Sequence, residues 1–246
     1  MRCFCILTAA LCSASALADT VTLVVSKDAT IIQENDRIAN GKGLGVFAGN
    51  IGAGVGFSRR AFFQFDLATI PAGSTITRVD FTLTLTKANS SSPAQTTQTL
   101  YRVLTGWSEG PSHSGNSGGQ GSPAQPGDVT WAHTNFDSQF WTNLGGDHAE
   151  SASAARPVGR ALTSYTWTSN PALVADVQDW LDNPSANFGW ELIGDESTFT
   201  TTRRYASREH GSASSRPRLL IEYTVPAPAG AMLVPAILVL ASRRRR

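Results

Sequence analysis

The sequence predicts a mainly β fold, an antiparallel β-sandwich of jelly-roll-like type with one short amphipathic helix. Three observations predict it. Short segments of alternating apolar and polar residues recur along the chain. The stretches between them are rich in Gly, Ser and Pro, which is turn chemistry and not the crossover helix of a βαβ unit. Only one stretch carries helical periodicity. No internal repeat of fixed period is evident, so residues 19–224 read as one domain.

Taken in order, the first strands are expected at Thr20 to Val25 and Ala29 to Gln33. The segment "RRAFFQFDL" sends Phe63, Phe65 and Leu67 to one face and Phe62, Gln64 and Asp66 to the other. "TIPAGSTI" follows, with Pro71 and Gly73 as turn residues, and then "VDFTLTLT" alternates Val79, Phe81, Leu83 and Leu85 against Asp80, Thr82, Thr84 and Thr86. These two strands form a hairpin or an inter-sheet connection. Further strands are expected at Gln98 to Val103, Gly189 to Ile193, Thr202 to Ala206 and Arg218 to Thr224. Residues 110–126, "GPSHSGNSGGQGSPAQP", read as an exposed, flexible loop. In "NPALVADVQDWLDNP", Asn170 can cap, Pro171 suits the first helical position, and Leu173, Val174, Val177, Trp180 and Leu181 share a face before Asn183-Pro184 stops the helix. That helix is expected to cover an edge or end of the sandwich, with Trp180 and Trp190 in the core.

The chain's two ends bear on location. Residues 1–18 have Arg2, a short apolar run and Ala16-Leu17-Ala18 before Asp19, the pattern of a secretory signal peptide cut after Ala18. All three cysteines, Cys3, Cys5 and Cys12, lie inside it, so the mature chain has no disulfide and no thiolate nucleophile or ligand. Residues 225–242 carry no charge and end on Arg243, Arg244, Arg245 and Arg246, the form of a minimal membrane segment with a basic stop. Removing Arg2 and the four tail arginines leaves 15 Lys+Arg against 19 Asp+Glu, a domain of about −4 charge. Such a domain lacks the basic footprint that nucleic acid requires.

The chemistry-bearing residues argue against catalysis. His113, His133, His148 and His210 show no zinc-type spacing, and Gly-x-Ser-x-Gly is absent. Glu191, Asp195, Glu196 and Glu209 could form a carboxylate pair only by folding. Sugar binding asks for flat aromatic rings and planar polar groups, and Trp107, Trp131, Trp141 and Trp167 lie in or beside the loop-rich middle. Each is a core plug or a platform at the rim, with at least one expected to be exposed. The stretch "RRYASREH" supplies Arg203, Arg204 and Arg208. They form either a basic patch for carboxylated sugars or, through Arg208 with Asp66 or another internal carboxylate, an internal clamp. In an extended strand Arg208 and Glu209 point to opposite faces and cannot pair with each other. Oxygen-rich loops around Asn35 to Asn50 and at Asp147 leave a structural calcium open, although no EF-hand loop is present. No other cofactor or metal is expected.

The ordered set "DATI", "FFQFDLATIPAGSTI", "WSEG", "DVTW", "FGWELIGDES", "YASREH" and "RPRLLIEY" resembles the DNRLRE domain family over roughly residues 20 to 224. That resemblance implies a secreted sandwich without catalysis of its own, related to carbohydrate-binding modules, with the acidic polymer alginate among the family's ligands. The tail, with Pro226 and Pro228 before the apolar segment and arginine run, resembles the bacterial PEP-CTERM sorting signal, with Pro-Ala-Pro where Pro-Glu-Pro is usual. It implies handling by an exosortase-type processing enzyme and a membrane-anchored stage. The expectation is a secreted, cell-surface module that binds extracellular polysaccharide in adhesion or matrix organisation. The alternatives are a structural surface or matrix protein that binds other proteins and, third, a polysaccharide-degrading enzyme.

Overall fold

The computed structural model describes residues 18–52, 56–113, 115 and 119–226. The leader before Ala18, Pro228 and Arg243 to Arg246 lie outside the described residues, and Ala18 itself opens the first strand. The elements in order are β1 (Ala18–Val24), β2 (Lys27–Ile32), β3 (Ile38–Asn40), β4 (Gly45–Asn50), β5 (Ser58–Gln64), β6 (Thr75–Ala88), β7 (Thr96–Val103), β8 (Ser122–Pro123), β9 (His133–Asn135), β10 (Gln139–Phe140), β11 (His148–Val158), β12 (Ser164–Trp167), α1 (Pro171–Asp182), β13 (Trp190–Ile193), β14 (Arg203–Ala206) and β15 (Arg218–Thr224). Every pairing is antiparallel. The chain is a β-sandwich and not a closed barrel, since its main hydrogen-bonded path starts at β1 and stops at β11.

One layer is built on the long β6, which pairs with β15, β12 and β14; the other runs β2, β5, β13, β7, β11. The connection from β5 to β6 is therefore an inter-sheet connection and not a hairpin. Its turn is closed by the Ser74 N–H to Pro71 carbonyl bond at 3.2 Å. β4 passes between layers, opposing β14 up to Ala48 and β5 from Gly49. Gly49 makes that switch at φ +114°, and a Cβ there would lie 2.9 Å from Thr202 Cα, so only glycine fits. β3, β4, β11 and β12 were not foreshadowed by alternation. β11, "HAESASAARPV", is the clearest case, because its partner β7 and not its own hydrophobicity holds it.

Alternation decides the core. Phe63 and Phe65 enter the space between the layers and meet Phe81 at 5.2 and 5.6 Å between ring centroids. Trp190 stacks on Phe81 at 5.9 Å and meets Trp180 of α1 edge-on at 4.5 Å. Trp180 and Trp190 are both buried. Two of the buried indoles keep polar partners: Trp190 Nε1 donates to Asp176 Oδ2 at 2.8 Å, and Trp167 Nε1 to the Gln98 carbonyl at 3.0 Å, whereas Trp180 Nε1 is buried without an acceptor. Each fully buried large apolar side chain contributes about 1.5–3 kcal/mol.

The helix begins where expected. Asn170 Oδ1 accepts from the N–H groups of Ala172 and Leu173 at 2.8 and 3.1 Å, and Leu173, Val177 and Trp180 face the core against β6 and β11. Asn170→Ala would remove the cap at a cost of about 1 kcal/mol.

A second apolar cluster lies on the outer face of the β2–β5 layer. There Phe62, turned opposite to Phe63, packs with Ala29, Ile31, Val103, Val129, Trp107, Trp131 and Trp141. The described residues between 104 and 147 fold back over this sheet face, so the loop-rich middle is a cover. The stretch read as a free loop is tied at both ends: Ser112 N–H donates to Asp128 Oδ1 at 3.0 Å, and β8 pairs with β3.

Candidate functional site

The cover explains the three tryptophans. Trp107, Trp131 and Trp141 are 4%, 7% and 5% exposed, and Trp167 is 1% exposed, so the expected exposed indole is not found among them. Phe62 stacks on Trp141 at 5.5 Å and leans on Trp107 at 5.4 Å. Trp107 Nε1 donates to the Phe188 carbonyl at 2.9 Å and Trp141 Nε1 to the Thr130 carbonyl at 3.0 Å. The outside of Trp131 is capped by the Arg60 guanidinium, 4.8 Å from its ring centroid. A sugar face has no access to rings held this way; they are the underside of the cover.

The three arginines separate. β14 is short and extended, so its neighbours alternate. Arg203 turns inward with no exposed surface and donates to the carbonyls of Gly159 (2.9 Å), Thr201 (3.1 Å) and Pro93 (3.1 Å) and to Ser92 Oγ (3.0 Å). It ties the loop after β6 to the loop after β11 and is not a contact surface. Burial draws its guanidinium below the usual arginine value.

Arg204 turns the other way, into a groove of about 570 Å³ lined by Phe47, Ile51, Lys87, Asn89, Thr200 and Thr202 among others. Its guanidinium carbon lies 5.9 Å from the Phe47 ring centroid. A register irregularity between Arg204 and Tyr205 places Lys87 of β6 directly opposite Arg204. Like charges so placed repel. Among the described residues neither has an ion-pair partner, and Arg204 Nε is buried without an acceptor. Burial pulls the Arg204 guanidinium down from its usual value.

A smaller concavity of about 370 Å³ adjoins the groove, sharing Lys87, Ala88 and Ser90 and adding Arg160. Among the described residues no acidic side chain lines either. Phe199, 55% exposed, is next in sequence to the lining residue Thr200. Its loop is braced: Asp195 Oδ1 accepts from Ser197 N–H (2.9 Å) and Thr198 N–H (3.0 Å), and Thr201 Oγ1 accepts from Asn50 N–H at 3.0 Å. Lys87, Arg160 and Phe199 were not singled out by sequence. Lys87 lies near the end of β6, in "TLTLTK" after the last core leucine, a position whose direction depends on the pairing irregularity.

Arg208 is part of an internal cluster. β14 ends at Ala206, and the His210 N–H to Ser207 carbonyl bond at 3.1 Å closes a turn. The chain is not extended there, so Arg208 Nη2 does reach Glu209 Oε1, at 2.8 Å, contrary to the expectation for a strand. Its main partner is Glu109 of the "WSEG" stretch, with Nε to Oε1 at 3.0 Å and Nη2 to Oε2 at 2.5 Å. Asp28 of "DATI" accepts the Arg208 backbone N–H at 2.7 Å. Burial lowers the Arg208 guanidinium, but Glu109, Glu209 and Asp28 outweigh it and hold it up. Asp66 has no ion pair among the described residues; it is exposed, and its Oδ1 accepts from Ala68 N–H at 2.9 Å in a local turn.

Glu196, Glu191 and Asp147 have structural partners. Glu196 makes a bidentate pair with Arg60 at 2.7 and 2.8 Å. Glu191, fully buried, lies 3.6 Å from Arg60 Nη1 and 2.7 Å from His148 Nδ1. Burial pushes the Glu191 carboxyl up against the pull of those two groups. Asp147 holds the end of the cover through the N–H groups of Thr142 (2.9 Å) and Asn143 (2.8 Å).

No protein-family model matches this chain, and no curated protein matches it at a significant level. Among the described residues no helix is long and apolar enough to cross a membrane.

Proposed function

We propose that this chain is a non-catalytic, DNRLRE-type sandwich module, secreted and sorted to the cell surface, that binds extracellular polysaccharide through the Arg204–Lys87 groove. The observation that carries this reading is the cross-strand pairing of Arg204 with Lys87 in a groove that no carboxylate lines among the described residues. Two cations held opposite each other repel unless an anion lies between them. A carboxylated sugar supplies that anion, and the planar guanidinium suits it. The exposed Phe199, next in sequence to the lining residue Thr200, is a candidate for the apolar face that a pyranose requires.

The test is binding of the mature protein to alginate, to pectate and to a neutral glucan at two salt concentrations. Selective, salt-weakened binding to the acidic polymers, lost in Arg204→Ala, is the expected result. Each charge-assisted hydrogen bond lost costs about 1.5–3 kcal/mol, roughly a 10- to 100-fold weaker complex. Equal retention by wild type and Arg204→Ala would move the site elsewhere. Failure to bind any polymer would favour the structural, protein-binding alternative.

A further inference from the structure

Three carboxylates from three separate segments converge at the turn after β14. Asp28 comes from β2, Glu109 from the segment after β7, and Glu209 from the turn itself. One oxygen from each lies within 4.8 Å of the others. The protein's own donors leave this cluster incompletely satisfied. Asp28 is fully buried; its Oδ2 accepts the Arg208 N–H, but its Oδ1 has no donor. Glu209 Oε1 accepts from Arg208 Nη2, but its Oε2 is likewise shut from solvent without a donor. Buried polar atoms are almost always paired, so two orphan oxygens on carboxylates of one cluster call for a further positive partner.

Nearby cations do not supply it. The Arg208 guanidinium is directed to Glu109 and to the other oxygen of Glu209. Lys27 Nζ turns away to the Trp107 carbonyl at 2.5 Å and lies over the Trp107 ring at 4.4 Å. Lys42 is close enough to act on Glu209 but is exposed and forms no ion pair among the described residues, so three carboxylates face one guanidinium, one diverted ammonium and one solvated ammonium.

We propose that Asp28, Glu109 and Glu209 hold a hard divalent cation of the calcium class, which locks β2, the start of the cover and the turn after β14 together. The spacing fits: two Ca–O bonds of about 2.4 Å laid end to end span the 4.8 Å limit. The donor set is all oxygen, without histidine or cysteine, which selects calcium over zinc. Glu109 and Glu209 keep 13% and 20% of their side chains exposed, an entry path for the ion and for the waters that complete its shell. Affinity in the range of extracellular modules, about 0.1–1 mM, follows from a site shared with an arginine.

The experiment is a calcium titration of the chelator-stripped full chain, followed by melting temperature and by terbium luminescence sensitised by Trp107. Magnesium is the control, and Glu209→Gln and Asp28→Asn are the variants. Glu209 lies at the partly exposed rim, so Glu209→Gln keeps the test open where Asp28→Asn fails to fold. The expected result is a rise in melting temperature that saturates with calcium and not with magnesium, with terbium emission displaced by calcium and both responses lost in Glu209→Gln. Absence of both responses up to about 10 mM calcium overturns the proposal and leaves a proton as the shared partner. An unchanged response in Glu209→Gln overturns it as well, because the ion then binds elsewhere.

Discussion

Arg208 and Glu109, 99 positions apart in sequence, meet fork to fork, with Nε to Oε1 at 3.0 Å and Nη2 to Oε2 at 2.5 Å. The same Glu109 Oε1 accepts the backbone N–H of Asp28 at 3.0 Å, so one carboxylate joins β2, the cover and the turn after β14. Glu109→Ala leaves Arg208 and the Asp28 N–H without that acceptor. A fully buried pair broken on one side costs about 3–5 kcal/mol; here Arg208 is 32% exposed, and about 2–3 kcal/mol is expected. Urea unfolding in the presence of chelator measures it. The double variant Glu109→Ala/Arg208→Ala should lose less than the sum of the two singles.

Arg203 and Arg204, adjacent in sequence, should separate in experiment. Arg203→Ala strips donors from Gly159, Thr201, Pro93 and Ser92 and is expected to cost about 3–4 kcal/mol. Arg204→Ala removes a charge that opposes Lys87 and should leave stability within about 0.5 kcal/mol of wild type, or raise it. Thermal melts of the two variants, run beside polymer binding, check both halves.

Aromatic substitutions divide the same way. Trp141→Ala empties a site stacked on Phe62 and should cost about 3–5 kcal/mol, so any loss of binding there tracks loss of fold. Phe199→Ala should leave the melt unchanged and weaken polymer binding several-fold. Iodide should quench the native protein's tryptophan emission poorly, since all six indoles are buried.

The pH dependence of stability has two opposing parts. Burial raises the Asp147 and Asp195 carboxyls, but the hydrogen bonds they accept outweigh it and hold both below the usual range. Their contribution is present above the unfolded value of about 4 and is lost as pH falls through the lowered folded values. Glu191 is raised by burial, so its contribution is complete below the unfolded value and is lost as pH rises through the raised folded value. Glu191→Gln should therefore gain on wild type as pH is taken from about 4 toward neutrality. Urea midpoints of the two proteins across that window would show it, and a constant difference would contradict it.

Much of the sandwich was legible because strand alternation is local. Phe62 and Phe63 must face opposite ways in any extended chain, and they do, into two different apolar clusters. Asn170, Pro171 and Asn183 likewise bounded α1 from nearest-neighbour chemistry alone. The candidate groove was only partly legible. Arg204 was in view, whereas Lys87 joins it through a pairing irregularity that no period predicts.

By itself the sequence determined which residues share a strand face and where the helix is capped, since these depend on bonds within a few residues; which face of β14 turns inward it left open. Tertiary structure alone decided which sheet each strand joined, that the described residues between 104 and 147 fold back to bury Trp107, Trp131 and Trp141, and that Arg208 meets Glu109 and not Asp66. Side-chain burial and ion pairing are properties of whatever arrives from elsewhere in the chain. Loop closure brings distant segments together at a cost that grows only slowly with separation, so sequence distance carries almost no information about the partner.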